Sequence, residues 1–399
     1  MEAAPLDARV APIELFFDLV FVFALTQVTA LMADDLTSRG VLRGVLILGL
    51  LWWSWVGYAW LCNVVRVDEG AARLALLIAM IAMFVLALAI PEAFDDLQGG
   101  LPGPVVVATC YFLFRLMHLV LFWIISSEDP GLRRQLIRFA PSMIGGTTLL
   151  LVASQYTGTA QTALWAAALL TDYGGTYLGG ASGWRLRSAG HFAERHGLIL
   201  IVALGESIVA LGVGAAELPI SWPIVAGSAA GLVLSAALWW AYFDITALQG
   251  EHALAQEPES TRARLARDAY SFLHFPMLVG VVVLALGLKK VLEYVGDTEH
   301  HQLADPLTGL GLYALYGGVV IYLLGHIAFK WRIAHLLTVD RLVAAIGLVV
   351  LIPVAGLLPA VVALLLVTGV MVAVIAYETV HFAEHREQIR HHISTTSQR

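Results

Sequence analysis

Residues 71–90 read AARLALLIAMIAMFVLALAI, a run of twenty residues in which Arg73 carries the single charge. A helix of this length rises about 30 Å and covers the hydrocarbon core of a bilayer. Similar apolar stretches recur along the whole chain. They are residues 13–33, 41–61, 71–90, 104–125, 139–154, 161–179, 198–214, 222–243, 270–288, 307–329, 342–357 and 360–377. The sequence therefore predicts an all-α, polytopic membrane helix bundle of about twelve transmembrane helices.

The composition agrees with a membrane protein that contacts the lipid bilayer. Hydrophobic residues make up 59% of the chain and charged residues 13%, whereas a soluble domain carries about 25% charge. The net charge is -7, and the absence of a basic patch in the sequence argues against a nucleic-acid partner. The longest polar connections, about 245–269 and 289–306, are shorter than the ~50 residues that a soluble domain needs. Function is therefore expected to lie in the helix bundle.

The cations alternate between the two sides of the predicted bundle. Eighteen Lys and Arg residues fall in the N-terminus, the even-numbered loops and the tail, while four fall in the odd-numbered loops. Loops rich in Lys and Arg stay on the cytoplasmic side. The sequence therefore predicts a multi-pass protein of the cell (plasma or inner) membrane with both termini in the cytoplasm.

The two halves of the chain contain matching pieces in a common order. The pairs are Leu51–Trp55 with Leu238–Tyr242, His118 with His326, and HFAE at 191–194 with HFAE at 381–384. They predict two six-helix repeats, residues 1–190 and 191–380, followed by a cytoplasmic tail at 381–399. Parallel repeats of this kind occur in transporters. The alternative is that these matches arise by chance because the helices have similar compositions.

Four ionisable residues fall inside the first and fourth spans. A charge in the hydrocarbon core costs at least ~2.5 kcal/mol, so each needs a partner, water or a function. Glu14 and Asp18 share one face of the first span, and Arg115 and His118 share one face of the fourth, at overlapping depths. A buried ion pair between Arg115 and either Asp18 or Glu14 would relieve the cost. This group is either an ion pair that only links two helices or part of a polar cavity open to the cytoplasm.

The seventh span adds an acid near the middle of the bilayer. Glu206 lies in the run Ala203-Leu-Gly-Glu-Ser207, where small neighbours suit close helix approach. It is either a hydrogen-bonded core acid or a residue that binds protons or a cation. The predicted substrate- or ion-binding site lies between the two halves. Its residues are Glu14, Asp18, Arg115, His118, Glu206 and Ser207.

One enzymatic pattern occurs, in the tail. Residues 381–385 read HFAEH, which matches the H-x-x-E-H zinc pattern. The sister copy at 191–195 reads HFAER and lacks the second histidine, which argues against a zinc site. No catalytic, metal or cofactor site is therefore predicted, and an enzyme is the less favoured class.

Three motifs resemble those of the bacterial low temperature requirement protein A family. They are ELFFDLVFVFA at 14–24, ERHG at 194–197 and ALGES at 203–207. The resemblance implies a polytopic inner-membrane protein whose biochemical activity is unsettled, so no catalytic residue can be carried over. The matching motif positions are Glu14, Asp18, Arg195, His196, Gly205, Glu206 and Ser207.

The run Phe16–Phe21 also resembles the Phe-Ser-Asp-x-x-Phe signature of the lysosomal potassium channel family. Phe17 replaces the serine, and Gly197 stands where the second half should carry the aspartate. The leading hypothesis is therefore a transporter or permease for a small solute or an ion, including protons. A cation channel, a structural or sensory membrane protein and an intramembrane enzyme remain alternatives, and a homo-oligomer is compatible with each.

Overall fold

A computed structural model describes residues 9–216, 218–297 and 299–381, and within them the chain is built from fourteen α-helices. They are α1 Pro12–Asp34, α2 Ser38–Val64, α3 Gly70–Leu88, α4 Gly103–Ile125, α5 Pro130–Ala153, α6 Gly158–Leu178, α7 Ala189–Ala215, α8 Trp222–Phe243, α9 Thr246–Gln256, α10 Glu259–Leu265, α11 His274–Gly296, α12 Gly309–Ala334, α13 Val339–Ala355 and α14 Ala360–His381. A π-helical segment, Ala266–Phe272, joins α10 to α11. The described residues contain no β-strand, and an isolated bridge joins Pro306 to Pro359.

Ten helical segments of the described residues are long and apolar enough to cross a membrane. This confirms the all-α membrane class. The predicted spans 161–179 and 342–357 correspond to α6 and α13, of 21 and 17 residues, which are not among those ten.

The described residues belong to two compact units. The first comprises those of Met1–Asp35, Arg39–Arg195 and Glu257–Ser271, and the second those of Leu36–Ser38, His196–Gln256 and Phe272–Arg399. In the first unit α5 packs along α6, and α1 and α4 each pack against α3. In the second unit α11 packs along α12, and α8 packs against α14.

Local sequence signals explain the start of α5 in the first unit. Asp129 is the N-cap, and its carboxylate accepts hydrogen bonds from the backbone N–H groups of Gly131 and Leu132 at 2.9 and 3.0 Å. Pro130 follows at the first helical position, where its missing N–H costs nothing. Gly146 lets α6 approach closely, since a Cβ there would lie 3.0 Å from the carbonyl oxygen of Ala168. This contact fixes the position of Asp172 one turn further along α6.

The α11–α12 pair in the second unit depends on glycines for its close packing. A Cβ at Gly280 would lie 2.5 Å from the backbone nitrogen of Tyr322, and one at Gly318 would lie 2.5 Å from that of Leu284. Small residues allow helix backbones in membranes to approach and to gain van der Waals contact. The two helices therefore cannot accept side chains at these positions without moving apart.

We expect Gly280→Ala to lower the free energy of unfolding by about 3 kcal/mol, the upper end for overpacking, because the added methyl meets backbone atoms. Gly317→Ala is the matched control, since a Cβ there meets nothing within 4 Å and replaces glycine in a helix with a better helix former. Denaturation in detergent measures both variants. Equal stability of Gly280→Ala and Gly317→Ala would contradict the close approach.

Candidate functional site

Arg115 on α4 pairs with Asp172 on α6, inside the first unit. Its Nη2 donates to both carboxylate oxygens of Asp172 at 3.0 Å, and the hydroxyl of Tyr111 donates to Oδ2 at 2.8 Å. Arg115 and Asp172 are each 1% exposed. The predicted ion pair of Arg115 with Asp18 or Glu14 is therefore wrong, because a different acid on a neighbouring helix neutralises the guanidinium.

Asp18 and Glu14 on α1 instead meet Arg195 on α7. The Arg195 guanidinium binds Asp18 through Nη1 and Nη2 at 2.8 and 2.9 Å, and Nη1 also donates to the backbone carbonyl of Glu14 at 2.9 Å. The indole N–H of Trp55 donates to Asp18 Oδ1 at 2.8 Å. This bidentate geometry is the strong form of an ion pair, and it is buried, since Arg195 is 0% exposed.

His191, one turn before Arg195, completes this cluster. Its Nε2 lies 3.0 and 3.1 Å from the two carboxylate oxygens of Glu14, and its Nδ1 lies 3.3 Å from Nδ2 of Asn63. The side chain of Asn63 is itself held, because its Oδ1 accepts the backbone N–H of Arg187 at 2.7 Å. We call Glu14, Asp18, His191 and Arg195 the α1–α7 cluster.

A small inner cavity of about 40 Å³ lies beside Arg115 and His118. The Nε2 atom of His118 lies 3.0 Å from the carbonyl oxygen of Gly57, so Nε2 carries the proton and Nδ1 is an acceptor. Two buried atoms, Arg115 Nε and His118 Nδ1, have no hydrogen-bond partner within the described part of the chain. The cavity has room for a few water-sized molecules, and these two side chains offer it one donor and one acceptor.

A second, larger cavity lies at the ends of α2, α4 and α10 and the start of α5. It has a volume of about 1300 Å³, and we call it the vestibule. Its wall carries cations and acids in equal number. The charged residues are Glu128, Asp129, Arg185, Arg187, Glu259 and Arg262.

Trp184 lines both the vestibule and the inner cavity. Its ring packs against Trp60, Phe122 and Phe139 at centroid distances of 5.9, 5.3 and 5.7 Å. Trp184 is 9% exposed and lies on an irregular segment between α6 and α7. An aromatic side chain therefore separates the two cavities.

The segment that carries Trp184 is fixed to α5. Gly180 has a φ of 76°, a left-handed conformation that lets the chain turn after α6. Its carbonyl oxygen accepts a hydrogen bond from the side-chain amide of Gln135 at 3.0 Å. A Cβ at Gly183 would lie 2.5 Å from that of Gln135. The turn therefore holds Trp184 in a defined place.

An ion pair orders the wall of the vestibule. Arg185 Nε donates to Asp129 Oδ2 at 2.8 Å. Burial alone would raise the pKa of Asp129, but the hydrogen bonds from Leu132 N–H and Arg185 lower it below the usual value. The pair therefore stabilises the fold above the ordinary pKa of aspartate, and that contribution is lost as the pH falls through the lowered pKa.

The second unit holds the remaining predicted residues, Glu206 and Ser207. Glu206 is 1% exposed. The hydroxyl of Ser207 lies 2.7 Å from that of Ser235 on α8 and donates to the carbonyl oxygen of Leu204 at 2.6 Å. Both predicted residues are thus buried, and their participation in a binding site stays a prediction.

A further buried polar group in the second unit was missed from the sequence. Arg341 on α13 binds Glu378 on α14 through Nε and Nη2 at 2.6 and 2.7 Å, and its Nη1 lies 2.7 Å from each ring nitrogen of His326. Arg341 had been counted among the cytoplasmic loop cations, yet it is 4% exposed. The sequence signal for the burial of Arg341 was its position near the start of an apolar helix.

The described residues contain no group of three or more His, Cys, Asp or Glu side chains that could hold a metal ion. Of the H-x-x-E-H pattern only His381 is described, and the rest of the pattern lies outside the described residues. The expectation that the tail binds no zinc therefore stays a prediction.

Comparison with known proteins adds the family. The family described as bacterial low temperature requirement A protein matches residues 9–376. A protein of Rhizobium meliloti (strain 1021) described as uncharacterized is 29% identical over 334 residues, which cover 79% of this chain and 76% of the relative. No solved structure matches the chain. Since the family match spans nearly all of the chain, this multi-pass membrane protein belongs to the bacterial low temperature requirement A family.

Proposed function

We propose that this protein is a transporter or permease for a small polar solute or an ion. The proposed path in the first unit leads from the vestibule, past Trp184, to the inner cavity beside Arg115 and His118. The observation that carries the proposal is that Trp184 lines both the vestibule and the inner cavity. Buried polar atoms without partners cost free energy, so their presence at the inner cavity supports binding there.

The charges around the inner cavity favour a small polar solute over a strongly charged one. Nη2 of Arg115 contacts both carboxylate oxygens of Asp172, so the pair carries no net charge while Nε of Arg115 still offers a hydrogen-bond donor. His118 Nδ1 supplies the matching acceptor. A solute that both donates and accepts one hydrogen bond would satisfy both atoms. Aromatic walls from Trp53, Trp60 and Phe139 would exclude bulk water.

The proposal includes an orientation. Arg185, Arg187 and Arg262 of the vestibule wall belong to the loops with the cation excess, so the vestibule would open to the cytoplasm. We further propose a plasma-membrane location, cytoplasmic termini and twelve spans in two six-helix repeats. In this arrangement Glu206 and Ser207 are the candidate solute-binding residues of the second half, and Glu14 and Asp18 those of the first.

Flux into reconstituted vesicles tests the proposal. Light scattering after an osmotic step follows the entry of urea, glycerol and potassium acetate as probes. His118→Gln keeps an N–H for the carbonyl of Gly57 but displaces the acceptor, because the amide oxygen does not occupy the position of the ring Nδ1. Leaving a buried donor or acceptor unmatched costs about 1–3 kcal/mol, so we expect this variant to slow the permeating probe roughly tenfold or more.

His300→Gln is the matched control, since His300 has a side chain that is 74% exposed, and it should keep the wild-type rate. Entry of every probe at the rate of protein-free vesicles, or an unchanged rate in His118→Gln, would contradict the proposed path.

A further inference from the structure

The α1–α7 cluster has an unequal number of fixed charges. Glu14 and Asp18 contribute two carboxylates, and Arg195 contributes one guanidinium. All three side chains are at most 3% exposed. With His191 neutral, the cluster carries one surplus negative charge within the apolar part of the chain, where an unpaired charge is costly.

The nearby charged groups outside the cluster are exposed or involved in other contacts. Arg187 is half-buried and lines the vestibule. Glu194 on α7 and Arg73, the charged residue of the adjacent α3, are exposed. The thiol of Cys62 on α2 contacts the Glu14 carboxylate and, as a neutral donor, adds no positive charge. These groups therefore do not compensate the surplus negative charge of the α1–α7 cluster.

Glu14 and Asp18 have partners of different chemical kinds. Asp18 accepts two guanidinium N–H groups and the indole N–H of Trp55, and both kinds of donor keep their protons near neutral pH. Glu14 accepts one backbone N–H, from Ala11 at 3.1 Å, lies 3.4 Å from Nε of Arg195, and contacts the Cys62 thiol and the imidazole of His191. Glu14 is thus the acid of the cluster that contacts an imidazole, at 3.0 and 3.1 Å.

We infer that the Glu14–His191 pair binds one exchangeable proton. The proton neutralises the surplus charge, and it belongs to the pair as a unit because the two groups lie within 3.1 Å of each other. A metal ion is a poorer fit, since no metal-binding group of side chains occurs in the described ranges and both Glu14 oxygens already face the imidazole. The inference rests on the contacts of the α1–α7 cluster and does not require the proposed path from the vestibule to the inner cavity.

Thermal unfolding of the purified protein across a pH series tests the inference. A proton bound in the folded state and absent from the unfolded state makes stability fall as the pH rises through the titration of the pair. Glu14→Gln removes the surplus charge while keeping the side-chain shape, so it should abolish this part of the pH dependence. Glu194→Gln, on an exposed neighbour, should keep the wild-type profile.

Infrared difference spectra of the wild-type protein after a pH step give a second readout that does not depend on folding of Glu14→Gln. We expect a carboxyl or imidazole band that changes with pH and is lost in His191→Gln or Glu14→Gln. A pH profile of Glu14→Gln identical to that of the wild type, with no such band, would overturn the inference. Stabilisation by sodium or potassium ions at constant pH in place of protons would overturn it as well.

Discussion

Arg115→Met is expected to destabilise the folded protein by about 3–5 kcal/mol, the cost of leaving one partner of a buried ion pair uncompensated. The reason is local. Asp172 is 1% exposed, and both of its oxygens face Arg115. Methionine fills much of the same volume but leaves Tyr111 as the remaining donor shown for this carboxylate. Denaturant titration in detergent, followed by tryptophan fluorescence, measures the loss.

The double variant Arg115→Met, Asp172→Leu should recover most of that stability, because replacing both charges with apolar groups removes the uncompensated charge. Arg185→Gln is the matched control. Its pair with Asp129 has side chains 43% and 31% exposed, and such surface pairs contribute at most about 1 kcal/mol. A double variant no more stable than Arg115→Met would show that the two charges do not stabilise each other.

The sequence predicted the class of fold and the burial of several acids, but it misassigned their partners. Depth along a helix follows from the rise of about 1.5 Å per residue, so Asp18 and Arg115 were correctly placed in the apolar part of the chain. Which helices are neighbours depends on three-dimensional packing, which hydropathy does not encode. The partner of Arg115 in the structure is therefore Asp172, whereas the sequence predicted Asp18 or Glu14.

Arg195 shows a second limit of hydropathy. It lies before the apolar stretch 198–214 and was counted as a loop cation, yet α7 begins at Ala189 and buries its guanidinium completely. The first two turns of α7 are polar, whereas the rest of the helix is apolar. Hydropathy therefore assigns these turns to a loop. The role of Trp184 was also missed, since a single aromatic directly after Gly183 in a polar segment gives no periodic signal.

The accessibility of residue 176 to a thiol reagent tests the proposed path most directly, because it requires no knowledge of the solute. Thr176 lines the inner cavity and is 8% exposed, so Thr176→Cys is nearly isosteric. Removing Trp184 breaks three ring contacts of about 0.5–1.5 kcal/mol each. If these contacts keep the path closed, their loss raises the population of the open path roughly ten- to a thousandfold. We expect labelling to accelerate within that range when Trp184→Ala is added.

Thr147→Cys is the control, because Thr147 is also buried in the first unit, at 2% exposed, but does not line the cavity. Peptide mass spectrometry after a pulse of a small methanethiosulfonate reagent reads each cysteine separately from Cys62 and Cys110. The proposed path predicts faster labelling at residue 176, and unchanged labelling at residue 147, when Trp184→Ala is added to each cysteine variant. Equal rates at residue 176 with and without Trp184 would contradict a path from the vestibule to the cavity of Arg115 and His118.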